Sequence, residues 1–244
     1  MSGEPDERSR ELARRLAAVR TRIGDACSAA GRDPAEVALL AVTKTVPAAD
    51  VARLLDLGIT DFGENRAQEA AAKVEEVAAL RSGGRWHLVG GLQRNKARAV
   101  VRWAERVESV DSIRLADALD DAVRRAQDAG DRAGPLSVLL QFSVDGDPRR
   151  GGVPSEGLGP LAEHVVDCAG LHLDGLMAVA PLDADPDAAF AAVAAAADRL
   201  RSAFPQARTL SAGMSGDLEV AIRHGSNVVR VGTALVGERR IASP

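Results

Sequence analysis

Residues 37–42 read Val37-Ala38-Leu39-Leu40-Ala41-Val42, and Thr43-Lys44-Thr45 follows at once. Six apolar residues without alternation, preceded by the turn signal Asp33-Pro34, suit a short strand buried on both faces of a parallel sheet. A helical pattern comes next, with Val51, Leu54 and Leu55 on one side and Gly58 as its stop. The same strand-then-helix unit then repeats. Strands are expected at 59–62, 86–89, 106–110, 136–142, 173–177, 209–211 and 228–231. Helices are expected between them at 65–80, 92–103, 112–129, 155–169, 186–204 and 216–224. In 112–129 the residues Ile113, Ala116, Leu119 and Val123 mark one apolar face.

Eight strands alternating with helices imply parallel pairing through right-handed crossovers. At 244 residues the chain has the size of one (β/α)₈ barrel. The expected fold class is α/β, a single (β/α)₈ barrel, with an open doubly wound sheet as the competitor. Residues 1–9 read as a flexible tail and 10–244 as the barrel domain. An additional helix, marked by Leu12, Leu16, Val19 and Ile23 and stopped at Gly31, precedes the first strand and is expected to pack across an end of the barrel.

Composition narrows the function. A net charge of −4 gives no basis for a nucleic-acid or anionic-membrane surface. Four Phe, two Trp and no Tyr leave few platforms for stacking bases. Cys27 and Cys168 lie far apart in apolar surroundings and read as two reduced thiols. The four His are scattered and no paired-Cys or His-Glu-x-x-His pattern occurs, so no metal site is expected. The N-terminal residues lack an apolar signal core and no run reaches membrane-spanning length, so a cytoplasmic location is expected.

Barrels carry chemistry just beyond the C-terminal ends of their strands. Lys44 stands there after the first strand, in a chain with three Lys against 28 Arg. A protein that uses Arg for charge and Lys here points to a need for an amine, since only Lys can lose its proton and attack a carbonyl. A solvated rim lysine is the plain alternative. Lys73 lies near Glu69 and Glu76 at helical spacing and reads as a surface ion pair. After the second strand, Asn65 can reach a ligand oxygen, or Glu64 or Asn65 can cap a helix. His87 falls inside the third strand and reads as a satisfied interior histidine, with a general base as the alternative. Ser211-Ala212-Gly213-Met214-Ser215-Gly216-Asp217 and Val231-Gly232-Thr233 follow strands seven and eight. Small residues there let backbone N–H groups approach an anion, and barrels often bind phosphate between these two loops. Arg230 ends strand eight and can face the body of a ligand held on those loops. An amine opposite a phosphate cradle fits a phosphorylated carbonyl compound, either a sugar phosphate in an aldolase or pyridoxal 5′-phosphate (PLP).

Several segments carry a resemblance. They are Ala41-Val42-Thr43-Lys44, Asp61-Phe62-Gly63-Glu64-Asn65, Trp86-His87-Leu88-Val89-Gly90 with Leu92-Gln93-Arg94-Asn95-Lys96, Gly175-Leu176-Met177, Gly213-Met214-Ser215-Gly216-Asp217 and Arg230-Val231-Gly232-Thr233. Together they resemble the signature of the YggS/PROSC family of PLP homeostasis proteins, in family order, from about residue 10 to 240. That resemblance implies the alanine-racemase-type barrel (fold type III) without its second domain. It implies an imine between PLP and Lys44, a phosphate held by Ser215, Gly232 and Thr233, and a loop lined by Ser211, Gly213 and Met214. Arg230 would face the pyridine nitrogen and Asn65 the ring substituents. A cationic Arg230 disfavours protonation of that nitrogen and makes the ring a poor electron sink. With no Tyr available as a base, the expectation is a non-catalytic, monomeric PLP-binding protein that buffers or delivers the cofactor. A PLP-dependent racemase or lyase is the alternative, and PLP-dependent client enzymes are the partners to expect.

Overall fold

The computed structural model describes residues 6–237. Its eight strands are β1 (Ala38–Val42), β2 (Asp61–Glu64), β3 (Arg85–Leu88), β4 (Arg106–Val110), β5 (Leu136–Phe142), β6 (Leu171–Ala178), β7 (Thr209–Ser211) and β8 (Val228–Val231). All neighbours are parallel, and β8 pairs with β1, so the sheet closes into a barrel in sequence order. The open sheet is thereby excluded. The helices are α1 (Glu7–Ala29), α2 (Ala48–Asp56), α3 (Ala67–Leu80), α4 (Ala97–Val100), α5 (Ile113–Asp128), α6 (Ser155–Asp167), α7 (Pro186–Ala203), α8 (Leu218–Arg223) and α9 (Thr233–Val236).

Local chemistry sets the element ends. Ser112 caps α5 by accepting from the Leu115 N–H, and Asp185 caps α7 ahead of Pro186 in its first turn. Asp6 caps α1 through the Ser9 N–H at 2.7 Å. That cap starts the helix at Glu7, so residues 7–9, read from sequence as tail, are helical; residues 1–5 of the expected tail and 238–244 of the expected barrel domain lie outside the described residues. β2 begins at Asp61, two residues later than expected, because the Ile59 N–H closes α2 by donating to the Leu54 carbonyl. The expected helix at 92–103 contracts to a 3₁₀ turn (Arg94–Lys96) and the single turn of α4. Arg132 takes up the carbonyls released there, donating to those of Val101 and Ala104 at 2.9 Å each.

The apolar core lies mainly between the sheet and the helical ring. The larger part joins β3–β7 to α4–α8 through residues such as Leu119, Leu140, Leu176 and Phe190. The other part joins Leu12, Leu16, Val19 and Ile23 of α1 to Val51, Leu54, Ile222, Val229, Val231 and Leu235. α1 packs against α8, α9 and α2. It therefore runs along the flank and not across an end. Among the described residues β8 is followed by the four-residue α9, and α1 supplies the cover that a longer helix there would give.

Candidate functional site

Inside the barrel a polar chain crosses five strands. His87 Nε2 lies 3.4 Å from Asp61 Oδ1, and His87 Nδ1 lies 2.8 Å from Glu108 Oε1. Ser211 Oγ donates to Glu108 Oε2 at 2.6 Å, and Arg230 Nη1 donates to Ser211 Oγ at 2.8 Å. Arg230 also donates to the carbonyls of Ser211 and Ala178, at 2.6 and 2.8 Å. Glu108, Ser211, His87 and Arg230 are all buried. Burial opposes charge on His87, but the hydrogen bonds to Asp61 and Glu108 outweigh it and raise its pKa. Burial likewise pushes Glu108 up, while His87, Arg230 and Ser211 pull it down further, leaving it below its ordinary value. Burial lowers the Arg230 pKa against the opposing charges of Glu108 and Asp217. The guanidinium is thus fixed in position by acceptors on three sides.

Above this chain the strands end in the loops where the candidate residues lie. Lys44 is exposed, two residues past the end of β1. Thr45 beside it has φ 67°, a left-handed conformation that a β-branched residue adopts only under constraint. Thr43 is buried; its Oγ1 donates to Glu64 Oε1 at 2.7 Å, and its carbonyl accepts from Lys73 Nζ at 2.8 Å. Lys73 also pairs with buried Glu64 at 2.8 Å. The surface pairing of Lys73 with Glu69 or Glu76 is therefore replaced by a bridge from α3 to the residue that precedes Lys44. Glu64 closes β2 inside this bridge and caps no helix. Asn65 is half-buried after β2, and its backbone carbonyl would sit 2.1 Å from a Cβ on Gly90, so only glycine allows that approach.

The loops after β7 and β8 meet. Ser215, Gly216, Thr233 and Ala234 line one hollow of about 610 Å³, with Arg15 of α1 at its edge. The backbone N–H groups of these four loop residues have no acceptor among the described residues. Gly213, with φ 87°, packs so tightly on α8 that a Cβ would lie 2.4 Å from that of Ala221. Gly232 sits against Val42, where an added Cβ would come 3.5 Å from the Val42 carbonyl oxygen. The β8 loop is thereby held beside the end of β1 and the start of the Lys44 segment. α8 and α9 are too short to carry much dipole, so the free N–H donors are what would attract an anion.

Ser215, Gly232, Thr233 and Lys44 are thus gathered at one mouth of the barrel, with Arg230 beneath. Ser211 lies lower than expected: its hydroxyl holds Arg230 and Glu108 and does not line the loop. Met214 turns to a neighbouring hollow that it shares with Arg150, Val179 and Ala180, and its N–H donates to Asp217. Sequence reasoning missed Glu108, Lys73, Arg15 and Arg22, the last of which donates to the Ser215 carbonyl at 3.0 Å. Glu108 carried a signal, as an acidic residue at the centre of the strand Arg106–Val110.

Comparisons with known proteins bear on the family and the fold. The family model described as "Alanine racemase, N-terminal domain" matches residues 15–240. A Mycobacterium tuberculosis protein named pyridoxal phosphate homeostasis protein is 49% identical over 255 residues, covering 100% of this chain and 98% of that protein. Among solved structures, PipY of Synechococcus elongatus with PLP bound is 34% identical, with TM-score 0.79, covering 93% of this chain and 100% of that one. Alanine racemase from Corynebacterium glutamicum shares the fold at 16% identity, with TM-score 0.67, over 97% of this chain and 62% of the racemase.

Proposed function

Because the chain belongs to the pyridoxal phosphate homeostasis protein family, within the alanine racemase N-terminal domain family, we propose that it binds PLP at the mouth of its barrel and holds it for intracellular supply. The observation that carries this reading is the meeting of the β7 and β8 loops, with four unpaired N–H groups, beside the β1 end that bears Lys44. The residues suit the group. Ser215, Gly216, Thr233 and Ala234 offer N–H donors to a phosphate beside Gly232, Arg230 stands below as a fixed cation, and Lys44 offers the amine. Asn65 lies at the neighbouring strand end, within the same rim. When bound, PLP supplies an aldehyde that a lysine amine captures reversibly.

The chain's own groups favour holding over turnover. His87, the second base an enzyme would need, is 5% exposed and committed to Asp61 and Glu108 beneath the site. The sequence has no Tyr. Arg230 opposes a proton on a ring nitrogen placed against it. We therefore read the protein as a non-catalytic carrier that hands PLP to client enzymes, working as a monomer. Two free thiols fit a reducing compartment such as the cytoplasm. Among the described residues no helix is long and apolar enough to cross a membrane.

The test is borohydride reduction of the PLP-loaded protein followed by peptide mass spectrometry. The pyridoxyl group is expected on Lys44, and Lys44→Ala is expected to abolish it. An adduct of equal yield on another lysine in that variant would overturn the assignment.

A further inference from the structure

Away from that mouth, α5 and α6 bring together three side chains of different ligand chemistry. Asp117 stands on α5, His164 on α6, and Cys168 caps the C-terminus of α6. Their donor atoms, a carboxylate oxygen, an imidazole nitrogen and Sγ, all lie within 4.8 Å of one another. We propose that Asp117, His164 and Cys168 form a binding site for a thiophilic divalent cation of the zinc class.

An ordinary surface ion pair explains His164 Nε2 and Asp117 Oδ1, which are 2.7 Å apart. It does not account for the thiol beside them. Zinc accepts this O, N and S set in a tetrahedron, with bonds of about 2.0–2.3 Å and donor separations of roughly 3.3–3.8 Å. The present cluster reaches that shape by opening the Asp–His contact slightly and drawing Sγ in. Water would take the fourth position.

The loop that carries Cys168 is firmly placed. Asp120 Oδ1 accepts the Gly170 N–H at 2.6 Å, and a Cβ on Gly170 would lie 3.0 Å from both that oxygen and Val123. The local field is negative. The carboxylates of Asp120, Asp117 and Asp167 would repel a thiolate there, with Arg124 opposing. A dication relieves that repulsion. On binding, the Cys168 Sγ–H bond breaks, its proton goes to buffer, and the thiolate bonds to the metal with no change of oxidation state. Sequence spacing hid the site, because only His164 and Cys168 are neighbours along the chain. Cys168 precedes the start of β6, whereas Lys44, Ser215 and Thr233 follow strand ends, so this site is separate from the proposed PLP mouth.

The experiment is a Co²⁺ titration of the full-length protein, with Zn²⁺ as competitor. One equivalent of Co²⁺ is expected to produce a near-ultraviolet sulfur-to-cobalt charge-transfer band that Zn²⁺ displaces. Cys168→Ser should remove the band, and His164→Ala and Asp117→Ala should each weaken binding by more than about tenfold. Far-ultraviolet circular dichroism should be unchanged in all three variants, as should the absorption of loaded PLP. Absence of the band in the wild-type protein, or undiminished affinity in Cys168→Ser and His164→Ala, overturns the proposal and leaves the PLP reading untouched.

Discussion

His87 carries both partners of its charge within the barrel, Asp61 on one ring nitrogen and Glu108 on the other. Its raised pKa makes stability depend on pH with a definite sign. The His87 contribution is fully present below its ordinary value of 6.5 and is lost as pH rises through the raised folded value. Glu108 acts in the opposite sense: its lowered pKa gives a contribution present above 4.5 and lost as pH falls through the folded value. Urea unfolding at stepped pH should show stability declining on the alkaline side of 6.5, and His87→Gln should flatten that limb. A wild-type profile already flat there would contradict the pairing. Some of this was legible in the sequence and some was not. His87 falls inside a strand, which marks it as interior. The rarity of lysine singles out Lys44, yet the same rarity marks Lys73, where helical spacing drew attention to two local glutamates. The true partner, Glu64, comes from another element, and spacing along one helix cannot reveal it.

Strand and helix positions were legible wherever apolar runs end at a cap or a glycine. β4, β5, β7 and β8 fall where their sequences placed them. β2 and the segment after β3 do not, because the Ile59 N–H is spent on closing α2 and the distant Arg132 takes up the Val101 and Ala104 carbonyls. The bulge in β6 was also invisible. Register against β5 steps from Leu173 to Gly175, so Asp174 is the extra residue. The bulge aims Asp174 at Arg106, 2.6 Å away, and at the Ser137 hydroxyl. Gly175 there has φ 154°, and a Cβ would lie 1.9 Å from the Thr209 carbonyl oxygen. Gly175→Ala should therefore cost at least about 3 kcal/mol, through backbone strain and displacement of β7. A loss under about 1 kcal/mol in urea titrations would show that the β6–β7 contact yields easily.

At the scale of the whole molecule, alternation was enough to count eight strands, and with the chain length it favoured closure over an open sheet; the pairing of β8 with β1 decides between them. The placement of α1 was not legible, because its apolar stripe shows that it packs without showing on what. It lies between α8 and α2, so the ring is completed by a helix from before the first strand. Leu12 is fully buried in that seam. Leu12→Ala should cost about 2–5 kcal/mol, with an unfolding midpoint lowered to match, whereas a helix merely resting on the barrel would lose far less. The seam also bears on biosynthesis. Of the described elements α1 leaves the ribosome first and α8, β8 and α9 last, so in a nascent chain the greasy stripe of Leu12, Leu16, Val19 and Ile23 can meet α2 but lacks its main partners until those elements emerge. That interval is when a holding chaperone would have most to grip.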